Sequence, residues 1–364
     1  MIPSTVPRGA DLLGMTLAEY AAAHATHPQH ARSQYARLMR EGDGAILPAV
    51  TRVERNDGLT KFCLPVGTHP GMALETESVI IPMRNYSGMD WYTLCLSSQV
   101  GCRMGCTFCE TGRMGLLRNL SSAEIVRQRL VARQLMLDQD PLAATRPFRY
   151  FSDGIRNLVF MGMGEPLDNF DAVVQAIRVF NDPRGLDIPL TQVTISTVGR
   201  IDGIRKLAQL NWPNLRLAIS LNAPNDRLRD ELMPINKGMP LADLQLALLD
   251  YPLPRRGLFL IEYVLIKDVN DAPALADEVA AWCRPLRCVV NVIPYNPQRD
   301  ASYATPSDDA IVRFCARLRS QGVFVKRRIT HGRDLMGACG QLGNPDLRRV
   351  QRSSSSSFSR AANS

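Results

Sequence analysis

The chain has 364 residues, 45% hydrophobic and 21% charged, enough apolar material for a full core and too much for a globally disordered protein. Lys and Arg number 43 against 35 Asp and Glu, a net charge of +8, which permits a polyanionic partner such as nucleic acid without requiring one. No apolar run reaches the roughly 20 residues that cross a bilayer, and the opening MIPSTVPRGADLLG lacks the apolar stretch of a secretory signal. The expectation is a cytoplasmic protein that does not enter the membrane.

The first segment carries a helical stretch, Leu17–Ala23, followed by His24, His27 and His30. HATHPQH contains a proline and lacks a helical ligand spacing, so it reads as a polar loop rather than a metal site. Strand-like segments follow at Ala49–Glu54, Leu59–Val66 and Leu74–Pro82. Asn56-Asp57-Gly58 between the first two signals a hairpin. Residues 1–85 are thus expected to form a small α/β appendage.

From Tyr92 the pattern becomes strand, polar loop, helix, repeated. Predicted strands are Tyr92–Ser97, Asn157–Met163, Gln192–Thr197, Leu215–Leu221, Leu258–Ile266, Cys288–Pro294 and Phe324–Ile329. They read as continuous apolar runs, as parallel strands covered on both faces do. Predicted helices are Ala123–Leu137, Phe170–Phe180, Leu241–Leu249, Ala272–Cys283 and Asp308–Arg319. The first opens with Ser121 and Glu124, a capping box. About six βα units predict an α/β fold, a partial (β/α)6 TIM-like barrel over residues 86–345, with its chemistry on loops at the carboxyl ends of the strands. Residues 346–364, ending RSSSSSFSRAANS, are expected to be a disordered low-complexity tail.

Nine cysteines, an odd number in a long chain, argue against a disulfide framework. Cys95, Cys102, Cys106 and Cys109 fall within fifteen residues, whereas Cys63, Cys283, Cys288, Cys315 and Cys339 are scattered. Cys102-x3-Cys106-x2-Cys109 follows the first barrel strand. Three thiolates this close can grip one soft metal centre. A structural zinc site usually takes four protein ligands, often as two paired knuckles, and the chain has no second knuckle. Three cysteines suit a 4Fe-4S cluster with one iron open, and Gly101, Gly105 and Gly112 would let the backbone wrap around it.

This cysteine spacing after a barrel's first strand is the signature of radical S-adenosylmethionine (SAM) enzymes, and the surrounding words narrow the match. TLCLSSQVGCRMGCTFCETGRMG, NLVFMGMGEPLDN, VTISTVG, LRLAISLNAPND with RDELMPINK, IEYVLIKDVND, NVIPYNP and GACGQL together resemble the RNA adenine methyltransferases of the RlmN and Cfr type. The resemblance runs from about Glu77 to Leu342. It implies a radical SAM barrel holding a 4Fe-4S cluster on Cys102, Cys106 and Cys109, and two SAM molecules per turnover. It also implies ribosomal or transfer RNA as substrate, an electron donor such as flavodoxin or ferredoxin, and a monomer.

Adenine carbons 2 and 8 are electrophilic, so direct attack on the SAM methyl is closed to them. The family's route, as the resemblance implies, methylates one cysteine from a first SAM. Reductive cleavage of a second SAM gives a radical that abstracts hydrogen from that methyl, and the carbon radical adds to adenine. A second cysteine then resolves the protein–RNA crosslink as a disulfide. Cys339 in GACGQL matches the methyl-carrying cysteine and Cys95 the resolving one. Glu77 in ETESVIIP matches a glutamate near the adenine; Cys95 is the alternative proton acceptor, and Glu75 lies two residues away on the same strand face. Gly164 and Glu165 match the SAM-binding pair, with Glu165 accepting from the SAM ammonium. Ser196, Ser220, Leu221, Asn222 and Asn296 complete the expected SAM contacts.

Two features depart from the family's pattern. Asn222 stands where SLHAP has its histidine, so an acid or base role there is absent while hydrogen bonding is possible. The N-terminal region is short compared with the family's helical accessory domain. Arg113, Arg118, Lys326, Arg327, Arg328 and Arg333 are candidate phosphate contacts. The alternatives are a radical SAM enzyme with another RNA modification outcome and a non-catalytic, zinc-stapled RNA-binding protein.

Overall fold

A computed structural model describes residues 11–24, 27–69, 71–85, 87–88, 90–139, 153–298, 300–328, 332–344 and 346–347. The described chain opens with helices α1 (Leu17–His24) and α2 (Pro28–Glu41) and strands β1 (Arg52–Asn56), β2 (Leu59–His69) and β3 (Met72–Arg84). Next come β4 (Asp90–Cys95), β5 (Gln99–Cys102), α3 (Glu110–Met114), β6 (Gly115–Asn119), α4 (Ser122–Gln139), β7 (Ile155–Phe160), α5 (Phe170–Asn181) and β8 (Val193–Thr197). Then follow α6 (Ile201–Gln209), β9 (Arg216–Ser220), α7 (Asp226–Leu232), α8 (Leu241–Leu249), β10 (Phe259–Leu265), α9 (Pro273–Cys283), β11 (Cys288–Pro294), α10 (Asp308–Ser320) and β12 (Val325–Arg327). The class is mixed α/β. All seven strands predicted from Tyr92 onward form. The chain divides into two compact units, one of Met1–Ser98, Asn119–Gly162 and Asn169–Thr194, the other of Gln99–Arg118, Met163–Asp168 and Ile195–Ser364.

In the first unit, β1 and β2 form the predicted hairpin, with Asn56 opposite Leu59. Asp57 and Gly58 have φ of 48° and 77°, the double positive φ of a type I′ turn, whose twist suits the strands. β2, β3 and β4 continue antiparallel, and β4 then pairs with β7 in parallel. Phe62, Leu64, Val79, Ile80 and Leu94 are buried along these strands. The capping box of α4 is formed, with Glu124 N donating to Ser121 Oγ at 3.2 Å and Ser121 N to Glu124 Oε2 at 2.8 Å. From α4, the buried Gln128 amide accepts from Ser97 N at 2.8 Å and donates to Ser97 O at 2.9 Å, fixing the chain just beyond Cys95.

The histidine segment departs from expectation. His24 ends α1, His27 caps α2 by accepting from Gln29 N at 3.4 Å, and His30 lies on the helix. Pro28 occupies the first helical position, where its missing N–H breaks no bond. The described residues of HATHPQH lie at the end of one helix and the start of the next, and its proline marks that start.

In the second unit, β9, β10, β11 and β12 pair in parallel, with Leu260 opposite Ala218, Tyr263 opposite Val292 and Val292 opposite Arg327. Ile261, Tyr263, Val290 and Val292 are fully buried, as expected of strands covered on both faces. Tyr263 stacks on Phe314 of α10 at 5.3 Å and donates to Asn270 O at 3.0 Å. Residues 348–364 of the expected tail lie outside the described residues. Among the described residues no helix is long and apolar enough to cross a membrane.

Candidate active site

The three-cysteine loop belongs to the second unit. Cys102 ends β5, Cys106 follows, and Cys109 is the residue before α3. Gly101 has φ of 74°, and a Cβ there would sit 1.8 Å from Gly115 O; no other residue fits so close to the neighbouring backbone. Thr107 N donates to Leu232 O at 3.0 Å, and Cys109 N to Cys106 O at 3.2 Å. Cys102 and Cys106 are buried among Met104, Phe108, Leu232, Met233 and Tyr295, with Cys109 packed against the same cluster. Burial pushes all three thiols above the ordinary range, and Cys109 raises both Cys102 and Cys106 further.

The expected SAM residues Gly164 and Glu165 stand in the same unit as this loop. Glu165 is buried; its carboxylate accepts from Leu167 N at 3.0 Å and Val198 N at 2.9 Å. Burial pushes it up to about 7. The Thr197 side chain also hydrogen-bonds this carboxylate, and of its four lone-pair sites one is left that can accept an ammonium. Asp168, in the same GEPLD segment, accepts from Gln99 Nε2 at 3.1 Å, from Arg200 Nη1 at 3.1 Å and from Arg103 of the cysteine loop.

Ser196 is half-buried near the carboxyl end of β8, and Ser220 ends β9. Asn222 is buried in the left-handed region, φ 56°, a conformation that favours Asn and His among non-glycine residues. Its Oδ1 accepts from Val264 N at 2.9 Å and its Nδ2 donates to Met233 Sδ at 3.3 Å. Its side chain therefore holds the strand end rather than standing free for a ligand. Behind it, buried Asn270 donates to Asn222 O at 2.8 Å and Val264 O at 2.7 Å, and accepts from Ile266 N at 2.6 Å.

Cys339 comes to this site through its backbone. Asn296 Nδ2 donates to Cys339 O at 3.3 Å. Glu110 N, directly after Cys109, donates to Gly340 O at 2.8 Å, and Thr111 Oγ1 donates to Leu342 O at 2.5 Å. The Cys339 thiol is raised by burial; nearby Arg328 draws it down and Glu262 pushes it up. Those two face each other at 3.6 Å.

Cys95 and Glu77 belong to the first unit. Cys95 ends β4, buried, opposite Val79 in β3 and Val159 in β7. Glu77 lies two residues before Val79 on the same strand face, which makes it a diagonal neighbour of Cys95. Its buried carboxylate is 2.9 Å from Lys61 Nζ and 3.6 Å from Arg52 Nη2. Glu75 is only half-buried.

Residues 96–276 match the Radical SAM superfamily. A probable dual-specificity RNA methyltransferase RlmN 1 of Protochlamydia amoebophila is 45% identical over 277 residues, 76% of this chain and 72% of its own length. The chain belongs to the RlmN family of radical SAM methyltransferases. A dual-specificity RNA methyltransferase RlmN of Methylorubrum populi is 40% identical over 298 residues, 80% of this chain and 68% of its own. The crystal structure of a radical SAM methyltransferase from Sphaerobacter thermophilus matches with a TM-score of 0.78 at 33% identity, covering 91% of this chain and 98% of that one. The partial-barrel radical SAM fold expected from the sequence is thereby the fold of this RlmN-family chain.

The family implies an iron–sulfur cluster and SAM, and the residues present fit them. The loop gathers three thiols in an apolar pocket, and thiols raised by burial become ligands when a cationic centre displaces their protons. Among the described residues, no three His, Cys, Asp or Glu side chains converge as ligands of one metal ion do. Thiolates on separate irons of a cluster stand farther apart than ligands on a single ion.

Sequence reasoning missed Arg229, Asp168, Asn270 and Glu262. Arg229 is fully buried; it donates to Leu221 O at 3.0 Å, Ser220 O at 3.2 Å, Val198 O at 2.5 Å and Asn236 Oδ1 at 2.6 Å. Burial pushes it down to about 10, and its charge lowers Cys106. Arg229 opens RDELMPINK between Leu228 and Asp230, a local pattern that does not mark it as buried. Of the expected phosphate contacts, Arg327 pairs with Asp308 at 2.5 Å and Arg328 faces Glu262. Arg333 donates to Asn296 Oδ1 at 3.3 Å, and Arg113 to Gln298 Oε1 at 2.9 Å. Those cations have partners within the protein, whereas Lys326 is exposed.

Proposed function

We propose that this chain methylates a ring carbon of an adenosine in RNA, carbon 2 with carbon 8 as the alternative, through a methyl-cysteine. The observation that carries the reading is the anchoring of the Cys339 segment to α3 directly after Cys109. This anchoring supports a reading in which Cys339 carries the methyl beside the three-cysteine loop. The relatives' names as RNA methyltransferases support RNA, ribosomal or transfer, as substrate.

A 4Fe-4S cluster on Cys102, Cys106 and Cys109, with its open iron, supplies reductive cleavage of SAM when bound. The chain's residues do the rest. Glu165 accepts from the ammonium of SAM, and Ser196, Ser220, Leu221, Asn222 and Asn296 form the walls of its site. Cys339 takes the methyl as a thiolate, which the neighbouring Arg328 charge favours. After carbon–carbon bond formation, Glu77 or Cys95 takes the ring proton. The Cys95 thiolate then attacks the Cys339 sulfur: the sulfur–sulfur bond forms as the sulfur–methylene bond breaks, the methylene carbon takes a proton to become the new methyl group, and the adduct's unpaired electron passes to the electron carrier. Electrons come from a flavodoxin- or ferredoxin-type donor, and the enzyme acts as a cytoplasmic monomer over two SAM molecules per turnover.

Nucleoside mass spectrometry of RNA from a deletion strain and its parent tests this. Loss of 2-methyladenosine supports carbon 2, and loss of 8-methyladenosine assigns carbon 8. An unchanged methyladenosine profile rejects the reading.

A further inference from the structure

Cys283 and Cys288 take no part in the chemistry above, yet the second unit brings them together beside a cavity of about 470 Å³. Cys283 ends α9 and Cys288 opens β11, joined by a turn in which Leu286 N donates to Cys283 O at 2.9 Å. Cys288 Sγ donates to Cys283 O at 4.0 Å, and both cysteines line the cavity. Cys283 is buried and Cys288 half-exposed. Arg255, Arg256, Arg284 and Arg287 also line the cavity. Arg287 is committed to the carbonyls of Leu253, Pro254 and Arg255 at 2.9–3.3 Å. Arg255, Arg256 and Arg284 are exposed, and among the described residues no acidic side chain lines the cavity with them.

We propose that Cys283 and Cys288 form a reactive dithiol that exchanges with anionic low-molecular-weight disulfides, of which glutathione disulfide is the type. Reactive cysteines occupy electropositive, partly exposed surroundings, and buried structural ones do not. The neighbouring Cys283 thiol draws Cys288 below the ordinary range, while the Cys288 sulfur and burial raise Cys283. The order of attack follows from exposure and charge. The Cys288 thiolate attacks one sulfur of the disulfide, forms a mixed disulfide and releases one thiolate. Cys283 then gives its proton to the first released thiolate and attacks the Cys288 sulfur, expelling the second thiolate. Two protein thiols are oxidised to one disulfide, and one external disulfide is reduced to two thiols. The arginines recruit the carboxylates of the reagent and stabilise the attacking thiolate.

The test treats the anaerobic holoenzyme with glutathione disulfide, quenches with N-ethylmaleimide and maps every cysteine by peptide mass spectrometry. Cys63 and Cys315, both buried, are internal controls. The expected product is a Cys283–Cys288 disulfide formed while both controls stay reduced. Cys283→Ser should trap glutathione on Cys288. Replacing Arg255, Arg256 and Arg284 together by Gln should slow the reaction on the order of tenfold, and leave the rate with the cationic disulfide cystamine unslowed. Cys288 reacting no faster than Cys63 and Cys315 in the unaltered protein would overturn the proposal. So would a Cys283→Ser protein without the adduct, or equal slowing with both disulfides.

Discussion

Arg229 donates to carbonyls at the carboxyl ends of β8 and β9 while its charge lies near Cys106. Arg229→Met leaves those acceptors without donors inside the core, a change that should cost about 3–5 kcal/mol. Denaturant unfolding checks this, and a loss under about 1 kcal/mol would show that the carbonyls find other donors. Glu165 carries a pH signature. Its folded value of about 7 stands above the ordinary 4.5, so between them the folded protein holds a proton that the unfolded chain has released. Its contribution to stability is therefore full below about 4.5 and is lost as pH rises through about 7. Glu165→Gln should flatten the melting temperature across that window. The mechanistic cysteines separate cleanly. Cys339→Ala should carry no methyl and form no RNA adduct, whereas Cys95→Ala should accumulate a ribonuclease-sensitive covalent protein–RNA band when SAM and reductant are present. Full methylation by Cys339→Ala would sink the methyl-cysteine route.

At the scale of elements, the boundaries that local chemistry dictates were legible and the rest were not. The capping box announced α4, and Ser121→Ala should cost about 1 kcal/mol, read from thermal unfolding. The Asn-Asp-Gly turn announced its hairpin because both positive φ angles fall on residues that tolerate them. The helix α6 escaped notice because Arg200 precedes it without a side-chain cap, and α7 because it runs only seven residues. α2 was hidden by a misread proline. Site residues divide in the same way. The three cysteines and Glu165 sit in recognisable words, while Asn270 and Arg229 act through hydrogen bonds to distant backbone that no spacing reveals. Asn222 is a mixed case: its position was legible, but its bond to Val264 N was not. Asn222→His should keep the left-handed turn.

At the scale of the molecule, the repeated strand–helix pattern was sufficient for the fold class because parallel strands announce themselves as apolar runs. The division into two units was not legible, since each is assembled from segments that are separate in sequence. Anaerobically reconstituted protein should bind about four irons and absorb broadly near ~400 nm. Replacing Cys102, Cys106 or Cys109 by Ala should abolish both, as iron analysis would show; retention of a reducible cluster by all three variants would remove the assignment. The bonds from Glu110 and Thr111 to Gly340 and Leu342 also set a timetable. Cys339 follows Cys109 by roughly 230 residues, which at about 5–20 residues per second takes the ribosome on the order of 10 to 50 s. Throughout that interval the nascent three-thiol loop lies without the segment that later binds beside it. Iron delivered during synthesis would therefore meet an open-sided loop, and iron delivered afterwards would have to pass the segment that carries Cys339.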